Sequence, residues 1–253
     1  QMAAGKRGNV YVVVGMAGAG KTSFLERVAT YLERSGKPPY IINLDPAAMR
    51  LPYDANIDIR DTVDYKSVMS EYCLGPNGAI LTSANLFATR FDKVVSICDL
   101  RAQDYEYFFI DTPGQIEIFT WSASGIMITD MLSAHFRTTI LFILDTPQCQ
   151  NPQIFMSNML QAVSVLYRSR LAVILVFNKI DVASHAPLVK LLSDMSLFQS
   201  ELEGVSDFSS TLTQSLHLIL QEFYEHLKIV GVSAATGSGV EEVISVLEDV
   251  GAG

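Results

Sequence analysis

The segment from Gly15 to Thr22 has the residue types and spacing of a phosphate-binding loop. It satisfies the pattern G-x-x-x-x-G-K-[ST], and an apolar run over residues 10–14 precedes it. Apolar residues at helical spacing follow it, so the loop joins a strand to a helix, where unpaired N–H groups favour bound phosphate. The sequence therefore predicts a polyphosphate site formed by Gly15, Gly18, Ala19, Gly20, Lys21, Thr22 and Ser23.

Two side chains of this segment predict a magnesium-dependent site. Lys21 is expected to reach the β- and γ-phosphates, and the Thr22 hydroxyl is expected to be a ligand of Mg²⁺. Asp111 ends the apolar run 107–110, and we expect its carboxylate to be the acidic partner of the same ion, through water. Thr22 and Asp111 are thus the candidate metal residues.

The base that accompanies the phosphates is predicted by Asn178, Lys179 and Asp181, which form an N-K-x-D element after the apolar run 171–177. An ionised carboxylate only accepts hydrogen bonds, so Asp181 can bind guanine N1–H and the exocyclic amine but would face the unprotonated N1 of adenine. This pattern favours GTP over ATP. A later segment resembles the last motif of GTPases, whose backbone contacts the guanine carbonyl, and it contains Ser233, Ala234 and Ala235.

Candidates for the catalytic step lie beside Asp111. The element D-x-x-G ends at Gly114, whose amide is expected to turn toward the γ-phosphate, and Gln115 and Glu117 lie where a residue that orients the attacking water is needed. Asp45 follows the second predicted strand, as a partner of water or Mg²⁺ or as a cap of the turn at Pro46. The sequence leaves open which of Gln115, Glu117 and Asp45 orients the water.

The chain alternates between predicted strands and helices. Strands are predicted near residues 10–14, 40–44, 107–111, 139–144, 171–177 and 229–233, and helices near 21–34, 152–168 and 239–249. This order predicts an α/β, three-layer P-loop NTPase fold with a mostly parallel sheet and the nucleotide at the carboxyl ends of the strands. We expect a flexible arm at 1–9, a single domain at 10–250 and a tail at 251–253.

Residues 46–106 form an insertion beside the predicted site. Residues 61–72 and 84–100 are candidate helices, joined through residues 74–80. Read locally, Gly75-Pro76-Asn77-Gly78 predicts a β-turn, because proline presets φ and asparagine tolerates a left-handed conformation.

Several segments together with the phosphate loop resemble the GPN-loop GTPase family, closest to its eukaryotic GPN-loop GTPase 1 branch. The likeness extends over about residues 10–249. The segments that carry it are Asn43-Leu44-Asp45-Pro46-Ala47, Gly75-Pro76-Asn77, Asp111-Thr112-Pro113-Gly114-Gln115, Trp121-Ser122-Ala123-Ser124-Gly125 and Phe155-Met156-Ser157-Asn158-Met159-Leu160.

The resemblance implies hydrolysis of GTP to GDP by a dimer with a second copy or a related GPN-loop GTPase. It implies that Asn77 of the GPN loop, residues 75–77, enters the partner's site near the γ-phosphate. It implies a role in assembly and nuclear import of RNA polymerase II, with its subunits or assembly factors as partners, and a cytoplasmic location with shuttling to the nucleus. The alternative is an assembly chaperone that binds a client and uses hydrolysis only to reset binding.

Composition and motifs argue against several other classes of function. Eighteen basic against 27 acidic residues give a net charge of −9, which disfavours direct binding to nucleic acid. No apolar run approaches the length of a membrane span, so no membrane partner is expected. Three cysteines without a C-x-x-C pattern are typical of buried thiols in a reducing compartment. A P-loop kinase would lack N-K-x-D, and a metal-insertion GTPase would need Cys and His clusters.

Overall fold

The computed structural model describes residues 8–193 and 227–252. Residues 1–7 of the expected N-terminal arm lie outside the described residues. The strands are β1 Asn9–Gly15, β2 Tyr40–Asn43, β3 Ile57–Asp58, β4 Tyr107–Asp111, β5 Arg137–Asp145, β6 Ala172–Asn178 and β7 Lys228–Val232. The helices are α1 Lys21–Arg34, α2 Tyr65–Glu71, α3 Pro76–Ala88, α4 Phe91–Arg101, α5 Ile116–Thr120, α6 Ala123–His135, α7 Thr146–Cys149, α8 Pro152–Ser169, α9 Ala186–Ser193 and α10 Val240–Ala252.

The strands form one sheet in the order β3-β2-β4-β1-β5-β6-β7, and every pairing between described strands is parallel. Strand β1 lies at the centre, where Val12 pairs with Ile110 of β4 and with Ile140 of β5. Such strands are covered on both faces, which explains their continuous apolar sequences. The predicted three-layer α/β fold is confirmed.

Alternate residues of β1 pack into two separate cores. Val10, Val12 and Val14 belong to a cluster with residues of α3, α4, α6 and α8, whereas Tyr11 and Val13 belong to a cluster with residues of α1 and α10. Helix α8 buries one face in the first cluster, through Phe155, Met159, Ala162 and Val163. The site is therefore carried on a sheet held between two apolar layers.

The helices of the insertion differ from their predicted bounds. The first begins at Tyr65, because Asp64 caps it by accepting hydrogen bonds from the backbone N–H groups of Lys66 and Ser67. The second predicted helix, 84–100, is divided: α3 ends at Ala88 and α4 begins at Phe91. The sequence also missed β3, which has only two residues, and α5, α6, α7 and α9.

The prediction of a β-turn at the GPN loop is wrong. Gly75 is the extended residue that precedes α3, and Pro76 occupies the first position of that helix. Proline fits there because its fixed φ is helical and the N–H that it lacks would have no partner within the helix. Asn77 is therefore held on the first turn of a helix.

The expectation of buried thiols needs correction at one of the three cysteines. Cys98 and Cys149 are buried free thiols, but Cys73 is exposed. Trp121, which the resemblance placed in a motif, is half exposed with the Arg168 guanidinium 4.9 Å from its ring centroid. Trp121 is therefore a surface residue.

Gly125 predicts a strong packing constraint between α5 and α6. A Cβ atom on Gly125 would overlap the backbone carbonyl of Phe119, so we expect Gly125→Ala to lower the free energy of unfolding by about 3 kcal/mol. Gly78→Ala on α3 is the matched control: its Cβ would lie 3.5 Å from Leu74, an ordinary contact, and alanine favours helix by up to about 1 kcal/mol. Urea unfolding followed by circular dichroism measures both, and equal effects would contradict the packing argument.

Candidate nucleotide-binding site

The predicted phosphate loop connects β1 to α1 at the carboxyl edge of the sheet. Gly20 has φ +85°, and a Cβ atom there would lie 2.5 Å from the Asn178 side-chain nitrogen. Gly15 approaches β5 so closely that a Cβ atom would overlap the carbonyl of Ile143. Both positions require glycine, because the loop is pressed against neighbouring strand ends. Ala19 is a buried residue of the loop, and Ser23 is exposed on the first turn of α1.

Lys21 is folded back over this loop. Its side chain is only 6% exposed, and Nζ donates a hydrogen bond to the carbonyl of Gly15 at 2.9 Å. Burial lowers the pKa of Lys21, while the nearby carboxylates of Asp111 and Asp45 oppose that shift. The ammonium group thus lies between the phosphate loop and the two predicted acidic residues, where a bound polyphosphate would place its charge.

Thr22 and Asp111 come together as predicted for a metal site. Thr22 Oγ1 donates to Asp111 Oδ2 at 3.1 Å, and the other carboxylate oxygen, Oδ1, is buried and has no hydrogen-bond partner among the described residues. Burial raises the pKa of Asp111, and the hydrogen bonds from Tyr53 and Thr22 oppose that effect. A hydroxyl beside a carboxylate with an unused oxygen fits Mg²⁺ or one of its water ligands.

Tyr53 is a site residue that the sequence analysis missed. Its hydroxyl donates to Asp111 Oδ2 at 2.6 Å, so the insertion reaches directly to the candidate metal site. Burial and the Asp111 carboxylate both raise the pKa of Tyr53, which keeps the phenol protonated as a donor. No spacing rule connects residue 53 with residue 111, and only the folded chain brings them together.

The predicted base-reading residues lie against the phosphate loop. Asn178 is 1% exposed; its Nδ2 donates to the carbonyl of Ala19 at 2.9 Å, and its Oδ1 accepts from the N–H of Ala234 at 3.1 Å. Lys179, with φ +67°, donates from Nζ to the carbonyl of Gly18 at 2.8 Å. The N-K-x-D element and the phosphate loop are thus directly bonded to each other.

Asp145 is a second residue that the sequence analysis missed. It ends β5, and its Oδ2 accepts from Lys179 Nζ at 2.6 Å, in a pair that is largely buried on the aspartate side. The Lys179 side chain is therefore held between a carboxylate and the loop carbonyl of Gly18. A signal was available, because Asp145 ends an apolar strand in the same way as Asp111.

Asp181 and the last predicted motif form one cluster. Ser233 Oγ donates to Asp181 Oδ1 at 2.6 Å and accepts from the N–H of Thr236 at 3.1 Å. This leaves Asp181 Oδ2 as the oxygen with no hydrogen bond to the described chain. Ala234 and Ala235 follow in the same turn, so the structure places all the predicted base-site residues in one region.

Asp45 has the turn-capping contact that the sequence allowed. Its Oδ1 accepts from the N–H of Ala47 at 2.9 Å, and burial raises its pKa against hydrogen bonds from Ala47 and Gly114 and the charge of Lys21. The contact with Gly114 joins the D-x-x-G loop to Asp45. The same carboxylate is therefore a turn cap and a neighbour of Lys21, and the two roles are compatible.

A buried network holds the Asp45 turn in place. The Asn43 side chain accepts from the N–H of Asp45 at 3.0 Å and donates to Asp58 Oδ1 at 3.0 Å. Arg60 pairs with Asp58 at 2.6 Å and donates to the carbonyl of Ala48 at 2.8 Å. Burial alone would raise the pKa of Asp58, but the hydrogen bonds from Arg60 and Asn43 lower it overall.

Gln115 and Glu117, the two water-orienting candidates at the start of α5, differ in their surroundings. Gln115 Nε2 donates to Asn77 Oδ1 at 2.8 Å, which joins the start of α3 to the start of α5 within one chain. Asn77 is exposed, and Glu117 is exposed on the first turn of α5. The structure thus brings Gln115 and Asn77 together.

Within residues 8–193 and 227–252, no group of three or more His, Cys, Asp or Glu side chains is arranged to hold a metal ion. In the same part of the chain, no helix has the length and apolar character needed to cross a membrane.

Comparison with known proteins gives concordant matches. A family model described as "Conserved hypothetical ATP binding protein" matches residues 13–252. The chain is 52% identical over 236 residues to the GPN-loop GTPase QQT2 of Arabidopsis thaliana, covering 93% of this chain and 62% of that protein. It is 47% identical over 246 residues to GPN-loop GTPase 1 of Schizosaccharomyces pombe, covering 94% and 67%.

A solved structure agrees with these matches. The crystal structure of a GTPase from Pyrococcus abyssi in its apo form superposes with a TM-score of 0.82 and 25% identity, covering 97% of this chain and 98% of that chain. The chain spans about three fifths of the length of the Arabidopsis relative.

Asp181→Asn tests the base site. Asp181 Oδ2 has no partner in the described chain and an asparagine oxygen can still accept from Ser233, so the variant should fold while presenting an amide donor to the base. We expect preference to shift from GTP toward xanthosine triphosphate by on the order of 100-fold, since the amide can donate to the second xanthine carbonyl. Competition binding of the two nucleotides measures the ratio, and an unchanged ratio would mean that the base site is misassigned.

Proposed function

Because the chain belongs to the GPN-loop GTPase family, we propose that it binds GTP and, with Mg²⁺, hydrolyses it to GDP and phosphate. The observation that carries this proposal is the direct bonding of the base-reading element to the phosphate loop, through Asn178 to Ala19 and Lys179 to Gly18. One rigid unit would therefore bind both ends of a guanine nucleotide.

The base is argued from hydrogen-bonding chemistry. The matching family model is described as ATP-binding, whereas Asp181 is an acceptor held beside Ser233 at the base end of the site. An acceptor suits the N1–H and amino group of guanine and opposes adenine N1. The names of the relatives agree with guanine, and we propose GTP as the substrate.

The proposed reaction is attack of water on the γ-phosphate, in which positioning and electrostatics supply the catalysis. When bound at Thr22 and Asp111, Mg²⁺ would neutralise phosphate charge. Lys21 would bind the β- and γ-phosphate oxygens, and the amide of Gly114 would approach the γ-phosphate. Gln115, Glu117 or Asp45 would orient the attacking water.

We further propose that the active unit is a dimer whose GTP state is closed and whose GDP state is relaxed. The insertion lies beside the D-x-x-G loop, to which Tyr53 and Asn77 connect it through Asp111 and Gln115. A change at the γ-phosphate would therefore be transmitted to the insertion. In this proposal Asn77 leaves Gln115 and completes the partner's site.

The cellular role is proposed from the resemblance: a nucleotide-gated switch in assembly and nuclear import of RNA polymerase II, shuttling between cytoplasm and nucleus. The alternative is a client-binding chaperone in which hydrolysis only resets binding. Exposed apolar side chains on α3 and α4, among them Leu86, Ile97 and Leu100, support a surface that binds another protein.

Lys21→Ala tests the phosphate site. Removing a buried ammonium that would bind the β- and γ-phosphates should weaken GTP binding by on the order of 100-fold. Lys93→Ala, which removes an exposed lysine of α4, is the control and should leave GTP affinity unchanged. Titration calorimetry gives both affinities, and near-normal binding by Lys21→Ala would contradict the assigned role.

Asn77→Ala tests catalysis across a dimer. Steady-state turnover of saturating GTP is measured over a range of protein concentrations; for the unaltered chain we expect turnover per chain to rise with concentration. The variant should bind GTP but hydrolyse it on the order of 100-fold more slowly, because a donor aimed at transition-state charge is lost.

Asn85→Ala, on the exposed surface of the same helix α3, is the control for Asn77→Ala and should retain normal turnover. If Asn77→Ala also matches the unaltered chain, the proposal that Asn77 takes part in hydrolysis fails.

A further inference from the structure

Arg27 of helix α1 binds the base-site turn. Arg27 Nε donates to the carbonyl of Ala234 at 2.8 Å, and Arg27 Nη2 donates to the carbonyl of Ala235 at 2.8 Å. One guanidinium therefore binds two successive carbonyl oxygens, an arrangement that suits its planar set of donors. The predicted chemistry of the site does not use this residue.

The position of Arg27 is fixed relative to the phosphate loop. Helix α1 begins at Lys21, and Phe24, Leu25 and Val28 anchor it in the core on either side of Arg27 in the sequence. The arginine lies fewer than two helical turns from Lys21. The two carbonyls are thus held at a defined place relative to the phosphate loop.

Peptide geometry sets the direction of the opposing N–H groups. Across a planar trans peptide the carbonyl of one residue and the N–H of the next point in opposite directions. With both carbonyls directed at Arg27, the N–H groups of Ala235 and Thr236 point away from α1; the latter donates to Ser233 Oγ at 3.1 Å. Ser233 in turn donates to Asp181, so this is the side of the base-reading carboxylate.

We propose that Arg27 is a positioning residue for guanine recognition, because it holds the carbonyls of Ala234 and Ala235 outward and so directs the N–H of Ala235 toward the base. This inference rests on the proposed binding of guanine nucleotides. Without the arginine the peptide planes can rotate and present carbonyl oxygens to the base, which would repel the carbonyl oxygen of guanine.

The role proposed for Arg27 concerns the substituent at C6 of the purine and not the one at C2. Guanine and hypoxanthine both have an accepting oxygen at C6, whereas adenine has an amino donor there. The exocyclic amine at C2, present only in guanine among these three, is assigned to Asp181 and not to the turn. Arg27 should therefore affect discrimination at C6 and leave discrimination at C2 unchanged.

The test compares dissociation constants of GDP, IDP and ADP for the unaltered chain, Arg27→Ala and Arg27→Lys. For Arg27→Ala we expect the constants of GDP and IDP to rise together about tenfold, as for loss of a charged hydrogen-bonding group, while that of ADP changes little. The GDP-to-ADP preference then falls about tenfold at a constant GDP-to-IDP ratio. Lysine can still donate to one carbonyl, so Arg27→Lys should lie between.

Arg34→Ala, which removes an exposed arginine at the end of α1, is the matched control and should leave all three constants unchanged. A parallel rise of all three constants in Arg27→Ala would overturn the inference, since it would show an effect through the phosphate loop or the fold. Unchanged constants would overturn it too. If the unaltered chain itself binds GDP no better than ADP, the proposed function fails, and this inference fails with it.

Discussion

The site depends on the hydrogen bonds made by the side-chain amide of Asn178. This amide donates to Ala19 in the phosphate loop and accepts from Ala234 in the last turn, while its own backbone ends β6. Three loops that are far apart in the sequence are thereby fixed by one buried group. Leaving either half of this buried amide unpaired would lower the stability of the fold. Correct placement of one of the three loops therefore favours correct placement of the other two.

The sequence predicted the parts of the site whose chemistry is local. The spacing of Gly15, Gly20 and Lys21 specifies a strand, a tight loop and a helix, and the structure has all three. Asp111 and Asn178 end continuous apolar strands, and a parallel sheet brings such ends to one edge. These features need no knowledge of distant contacts, which is why sequence patterns contain them.

The groups that support those residues were not predictable in the same way. Tyr53 and Arg27 act on Asp111 and Ala234 across large separations in sequence, and their positions follow from the packing of the insertion and of α1. The predicted turn at Gly75 failed for a different reason: glycine followed by proline suits both a turn and a helix start, and the apolar packing of the residues after Asn77 selects the helix.

Gly15 belongs both to the phosphate loop and to the contact between β1 and β5, which limits what a substitution there can show about the site. The same residue that opens the phosphate loop also sits against the carbonyl of Ile143, so any side chain there would push β1 away from β5 in the middle of the sheet. A variant at Gly15 that loses nucleotide would therefore be ambiguous, since an assay could not separate a vacant pocket from a distorted sheet. Genetic screens that score inactive alleles will face the same ambiguity at this codon.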